Sequence, residues 1–537
     1  MSAKVQQQDE KEPTSHHMIA DDGGKVMTGE IDQIMVQEQS MTFLSAVKLY
    51  PKAVGWSLVL SMALIMEGYD TALLKSLFAV PSFQKTYAHG KKGAQISAPW
   101  QAGLTNGSSI GQLLGLLISG YATERIGFRW TMMTSLATAI GFIFIQFFAN
   151  SLAMQEVGQV LLGIPLGAMQ MIPVVYAHEI SPLCLQPYLT TCANLSWILG
   201  HLIELVVLRA VLNLKGDWAY RIPFAIQWFW PTLLIPLIFL APENPWWLVR
   251  KGRHDEAKQT LLRLTKSEDV HRNIDSHLAF MVRTVDHERE LSSGTSYKSC
   301  FKGTDRRRTL IVIACYSIQL LSGNSLRGYS TYYFQQAGLA TTQSFNLSIV
   351  GVVLGLVGMV MAVRLSPIII LRAQLKSNGL LLIWVVTGGV GVVQIRHPSH
   401  DLAWCIGGLL LASSFVYDFT VGPVVYAYIT EIPSSILRSK SASVSRWIYA
   451  VVGIVANVIT PYQLNKTAWN WGAQTGFFWG GTTLLSLVFA FFCIPETKGR
   501  TTLEMDILFE QKIPARHFKT TPIESVEDVI KHNDQSP

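Results

Sequence analysis

The sequence predicts an all-α integral membrane protein: twelve transmembrane helices in two pseudo-symmetric six-helix bundles, with both termini in the cytosol. Three observations carry this expectation. Of 537 residues, 49% are hydrophobic and only 15% charged, where a soluble chain carries about a quarter. The charges crowd into the tails and one central stretch, leaving roughly twelve apolar runs of the ~20 residues that cross a bilayer. The two halves of the chain also repeat one another.

Taken in order, residues 1–45 are polar and acidic. They read as a cytosolic tail without a cleavable signal peptide, so the first hydrophobic helix is the membrane-targeting signal. In the first bundle, 46–241, spans are expected near Ala53, Pro99, Phe128, Gln155, Tyr188 and Tyr220. In the second, 309–495, they are expected near Thr309, Phe345, Lys376, Asp401, Ser441 and Thr475, the ninth being short and glycine-rich (TGGVGVV). The charged stretch 242–308 shows helical patterning in HDEAKQTLLRL and reads as a cytosolic helical loop. Residues 496–537 form a cytosolic tail. Arg125 and Arg129, the run Arg306 to Arg308, Arg438 and Lys440, and Lys498 and Arg500 all fall on one side if both termini are cytosolic. Lys85, Lys91 and Lys92, in the first outer loop, run against that bias. The net charge of +7 suits loops facing an anionic lipid leaflet and does not require nucleic acid.

The repeat is specific. VVYAHEISP (Val174–Pro182) recurs as VVYAYITEIPS (Val424–Ser434), and APENP (Ala241–Pro245) as IPETKG (Ile494–Gly499). The copies sit at matching places, after spans four and ten and after six and twelve. Two parallel six-helix halves around a site between them is a transporter architecture. The six cysteines are scattered, mostly in apolar runs, without CxxC or His–Cys clustering. Neither a metal site nor a disulfide framework is predicted. With no nucleotide loop or nucleophile elbow, the chain reads as neither an enzyme nor a cofactor protein.

In IMEGYDTALL (Ile65–Leu74), Glu67 and Asp70 share one face of the first helix. An acid in a membrane helix faces a cavity or a partner and marks an ion pathway or proton relay. The alternative is a structural ion pair between helices.

Further motifs read GYATERIGFR after span two, YAHEISP after span four, YRIPFAIQWFWP opening span six, and PENPWWLVRKGR beyond it. IQLLSGNSLRGYSTYYFQQAGL lies in span seven, EIPSSILRSK follows span ten, ITPYQLNKTAWNWG joins eleven to twelve, and PETKGRT closes the core. From Phe43 to Lys519 the chain resembles the sugar porters of the major facilitator superfamily, and within them the fungal maltose permeases, which are α-glucoside–proton symporters. EGYDT, PWWL and NKTAWNWG point to that branch.

The resemblance implies import of a sugar or glycoside with protons, by alternating access, by a monomer in the plasma membrane. It implies proton coupling by Glu67 and Asp70, with Arg446 in SVSRWIY as their charge partner, directly or through the cavity. Arg446 can equally be a residue snorkelling to the cytosolic interface. Asp418 falls where related carriers couple a gate to the helix-ten motif, or else caps a kink. Gln319, Asn194 and Tyr426 occupy sugar-binding positions, and Gln159 stands where other sugar porters carry an Arg. Bidentate amide contacts suit vicinal hydroxyls, although a lone amide in a membrane helix is also a common interhelical contact. A cytosolic latch is implied at Glu124, Arg125, Arg129, Glu179, Glu431, Arg438, Glu496 and Arg500.

Several positions depart from the pattern. Gln112 replaces an acid in span two, Leu320 replaces the second Gln in span seven, and His201 replaces a Gln in span five. Gln186-Pro187 replaces an Arg-Gly, which leaves Glu179 without its expected local partner. LRAQLK weakens the second latch. The alternatives left open are transport of another glycoside or a secondary metabolite, and a sugar sensor that does not transport. The tripeptide Asn465–Thr467 reads as a possible outer glycosylation site.

Overall fold

The computed structural model describes residues 43–88, 95–181, 185–214, 216–264, 274–293, 296–365, 378–422, 425, 428, 431–434, 437–496, 502–518 and 521. The described residues are helical throughout their regular structure. The long helices are α1 Pro51–Leu77, α2 Ala98–Ile126, α3 Phe128–Phe147, α4 Leu152–Ile180, α5 Gln186–Val211 and α6 Trp218–Leu240. They continue with α7 Gly303–Gly328, α8 Thr341–Leu365, α9 Gly379–Arg396, α10 His400–Phe419, α11 Arg438–Leu464 and α12 Thr475–Cys493. Ten helices among the described residues are long and apolar enough to cross a membrane; α2 and α5, of 29 and 26 residues, pack among them. The expected starts fall within about two turns of the observed ones. The charged central stretch forms the helices Pro245–Arg250, His254–Leu264 and Ile274–Ser293.

Glycine decides how close the helices come. α2 lies directly on α4, and a Cβ at Gly111 or Gly115 would strike the carbonyl of Val160 or Ile164. Reciprocally, Gly163 and Gly167 of α4 press on the carbonyls of Ser108 and Gln112. α1 and α5 meet the same way, Gly68 against the Trp197 carbonyl and Gly200 against that of Ile65. Close approach of small residues is the main source of association between helices in lipid, where no hydrophobic force draws them together. In the second half α8 packs on α10, α9 on α12 and α7 on α11, and the halves touch through α2 with α11 and α5 with α8.

The turn from α2 into α3 rests on Gly127, whose φ of +93° suits only glycine. Its missing side chain makes room for the Glu243 carboxylate. Glu243 Oε1 accepts from the backbone N–H of Phe128 (2.9 Å), Arg129 (3.3 Å) and Asn244 (3.0 Å). It thereby caps α3, where the helix dipole favours a negative charge. Burial pushes the Glu243 carboxyl above its ordinary range, against the opposing pull of those N–H donors and of Arg129.

α7 is broken partway along its course. At Ser322 and Gly323 the backbone leaves helical values, Gly323 reaching φ +85°. The carbonyls freed at the break are taken by side chains of neighbouring helices: Trp384 Nε1 donates to Ser322 (3.1 Å) and Thr482 Oγ1 to Leu321 (2.7 Å). In lipid, irregular backbone persists only when its polar groups are satisfied inside the protein.

Three substitutions test this architecture. Gly115→Ala should destabilise the protein by about 1–3 kcal/mol through overpacking, whereas Gly120→Ala, which meets nothing within 4 Å, should be neutral; thermal unfolding in detergent compares them. Glu243→Ala should cost about 1–2 kcal/mol as a lost cap, read in the same assay.

Candidate functional site

Glu67 and Asp70 are each 1% exposed and sit midway along α1. Three other helices supply their surroundings. Gln227 of α6 donates to Asp70 Oδ1 at 2.9 Å, and Ser108 of α2 donates to Asp70 Oδ2 at 3.3 Å. Gln112 of α2 donates to Glu67 Oε1 at 3.3 Å. The residue expected to remove a protonatable group therefore acts as a hydrogen-bond donor to the remaining acid. Gln159 of α4 is wholly buried beside Asp70, and its amide makes no hydrogen bond within normal geometry. The acids are thus held by neutral donors within their own half. Gln227 and Ser108 were not singled out in the sequence, although QWFWP carries the first.

From the second half, Arg446 of α11 lies close enough to Glu67 for its charge to be felt there. Its guanidinium is 4.8 Å from the Tyr449 ring centroid and 5.9 Å from that of Tyr316. Asp418 is placed elsewhere. Its carboxylate lies against Gly355 of α8 and within electrostatic range of Arg327 on α7, and Arg327 itself stacks 3.4 Å from the Tyr417 ring centroid. Arg327 is a further intramembrane cation, visible in SLRGYS as a charge inside an apolar run. Gln319 is buried and donates to the Gly422 carbonyl at 2.9 Å, tying α7 to the end of α10. The Asn194 side chain and Tyr426 lie outside the described residues.

At the end carrying the charged helices, Glu179 pairs with Arg250 (3.2 Å) and accepts from the Asn244 amide. The expected absence of a local partner is thus made good by an arginine 71 residues further on. Gln186, at the position of the missing Arg, instead donates to the carbonyls of His178 (3.1 Å) and Ser181 (3.4 Å). Glu124 and Arg125 are exposed. Arg125 stacks on Tyr121 (4.6 Å), Arg129 lies over Phe239 (4.9 Å), and the Glu124 carbonyl receives Trp247 Nε1 (3.1 Å). In the second half Glu431 is exposed, Arg438 half-buried and Glu496 buried, while Arg500 and LRAQLK lie outside the described residues.

The opposite end is closed by contacts between the halves. Thr105 and Tyr329 share a hydrogen bond of 2.7 Å, Gln335 donates to the Ala79 carbonyl (2.7 Å), and Tyr332 donates to Gln95 (3.0 Å). Asn465 is fully buried and donates to the Ile96 carbonyl at 2.8 Å, while its side-chain oxygen accepts from Thr467. This overturns the glycosylation reading in the described conformation: the amide nitrogen a glycan would need is buried in a contact between the segment leading into α2 and the end of α11.

A family model described as sugar (and other) transporter matches residues 56–509. A general alpha-glucoside permease of Saccharomyces cerevisiae is 40% identical over 508 residues, covering 93% of this chain and 82% of the permease. A maltose permease of the same yeast is 39% identical over 498 residues, covering 91% and 80%. Among solved structures, the xylose transporter XylE from E. coli in a partially occluded inward open conformation superposes with a TM-score of 0.68 at 16% identity, covering 84% of this chain and 99% of that one. The proton:xylose symporter XylE bound to 6-bromo-6-deoxy-D-glucose gives 0.65 at 19% identity, covering 86% and 99%. These structures share the fold, and the sequence relatives are permeases, not enzymes. By a family match spanning most of its length, the chain belongs to the sugar (and other) transporter family.

Proposed function

We propose that the protein imports α-glucosides of the maltose type together with protons, by alternating access. Two six-helix bundles, 46–241 and 309–495, rock about the site as a monomer in the plasma membrane. Twelve spans put both termini and the charged helices in the cytosol. The closed end is then the outer one, and the conformation faces inward. One observation carries the reading: two fully buried acids in a membrane helix, surrounded by neutral donors, with a cation facing them from the other half. Neutral donors accommodate a carboxyl in either protonation state better than a fixed ion pair does, which suits a group that loads and unloads protons. The permease names of the relatives support the substrate class.

In this reading Glu67 and Asp70 carry the proton and Arg446 answers their charge across the cleft. Asp418, held near Arg327, acts within the second bundle. Gln319, Asn194, Tyr426 and Gln159 meet the sugar. The latch is formed by Glu179 with Arg250, supported by Glu124, Arg125 and Arg129, and by Glu431, Arg438, Glu496 and Arg500 in the second half.

The deciding test is maltose uptake in cells stripped of their own maltose carriers, with external pH recorded. Uptake with alkalinisation is expected, and both should vanish in Asp70→Asn and Glu67→Gln proteins that reach the surface. Uptake without a pH change would establish a facilitator instead. Surface protein that takes up no disaccharide would refute the substrate. Arg250→Met should remove charge-assisted hydrogen bonds of about 1.5–3 kcal/mol. The maximal uptake rate should fall about tenfold or more, with the half-saturating maltose concentration unaltered, which initial-rate measurements over a sugar series would read.

A further inference from the structure

We propose that a groove between α9 and α12 binds one anionic phospholipid of the cytosolic leaflet, with an acyl chain in the groove and the phosphate on Arg516. The leaflet follows from the topology proposed above. The site itself does not depend on what the protein transports.

The two helices meet tightly over one half of their length. A Cβ at Gly391 would strike the Ala473 backbone, one at Gly388 the Phe477 ring, and one at Gly476 the Trp384 carbonyl. Small residues of this kind let membrane helices touch. Towards the end where α9 begins and α12 finishes, bulky residues take their place. Leu381 and Leu382 of α9, with Leu487 and Val488 of α12, line a groove of about 950 Å³. Leu382 and Val488 are exposed, so the groove opens sideways onto lipid. A hydrocarbon wall in that position suits an acyl chain.

The groove ends at two features that favour negative charge. On the α12 side it is lined by Phe491 and Phe492, and Arg516 stacks on both rings, its guanidinium 3.9 Å and 4.6 Å from their centroids. Stacking engages the flat face of a guanidinium and leaves its N–H donors, which lie at the edge, for an acceptor. Among the described residues no carboxylate pairs with Arg516. On the α9 side the groove ends at Asn378 and Gly379. Asn378 makes no side-chain cap, and the first N–H groups of a helix lack intrahelical partners. The dipole of this 18-residue helix therefore favours an anion at the same place. Basic pockets between membrane helices on the cytosolic side take anionic head groups. A lipid of net negative charge gains from both features, whereas a zwitterionic one brings its own cation to them. Arg516 is held there by the segment that follows α12. In helix Thr502–Glu510, Asp506 pairs with Arg308. Beyond it, the Ile513 carbonyl accepts from Arg307 (2.8 Å), and Phe518 packs on Phe509 (5.0 Å between centroids). Arg307 and Arg308 lie near the start of α7, so a bound head group fastens that end of α7 to α9 and α12.

The test uses the full-length protein, purified and given equal amounts of phosphatidylserine and phosphatidylcholine. Native mass spectrometry then reads which lipid stays bound. The parent should retain phosphatidylserine in preference. Arg516→Gln should lower that preference about fivefold, the effect of one basic residue at a membrane surface. Val488→Trp, which fills the groove, should retain neither lipid. Equal retention of the two lipids by the parent would mean annular lipid only and would overturn the proposal, as would an unaltered preference in Arg516→Gln. A parent that keeps no lipid, or that runs as a dimer in its place, would give the groove to the chain's own tail or to a second copy, and the proposal would fall. Thermal unfolding separates lost binding from lost folding. Parent and Arg516→Gln should unfold alike without lipid, and added phosphatidylserine vesicles should raise the unfolding temperature of the parent alone. An equal rise in both would count against Arg516 as the phosphate contact.

Discussion

Two carboxylates buried in the middle of one membrane helix set the terms for everything packed around them. An Asp at the centre of a membrane helix costs about 2.5–3.5 kcal/mol on insertion scales, so α1 is tolerable only with donors delivered to Glu67 and Asp70. Those donors come from α2 and α6 as Gln112, Ser108 and Gln227. Side chains this short reach α1 only if the helices lie close. The glycines at 111 and 115 press α2 on α4, and Gly68 presses α1 on α5, so the bundle around the acids is tightly packed.

The second half meets a related demand differently. Its central feature is a broken helix, α7, whose freed carbonyls are bound by Trp384 and Thr482. The break redirects the chain so that Tyr329, Tyr332 and Gln335 arrive at the first half and close one end of the molecule. At the charged end, the described ion pairs stay within a half, Glu179 with Arg250 in the first and Arg308 with Asp506 in the second. One end is therefore sealed by hydrogen bonds between halves while the other is braced within each half.

Much of this was legible in the sequence because its causes are local. Apolar runs of membrane length, charge in the loops and a repeated pair of motifs place the helices to within a turn or two. Glu67, Asp70 and Arg446 stand out because a charge in an apolar run is conspicuous anywhere. Pairings between distant segments were not legible. Glu179 seemed to lack a partner because its neighbours in sequence offered none, yet Arg250 reaches it from the far side of two helices. Asn465 carried the tripeptide of a surface site and proved to be an interior contact. Gln112 looked like the loss of an acid and is a donor to one.

The sequence by itself determined that the chain is helical, lies in a membrane and carries acids where lipid forbids them without a reason. Hydrophobic length and charge are properties of single segments and need no neighbour to be read. Tertiary structure decided which acid meets which donor, where α7 breaks, and that Lys75 of α1 reaches across to Tyr329 in the other half. Those outcomes depend on the register between helices, which is set by where glycine lets two backbones touch.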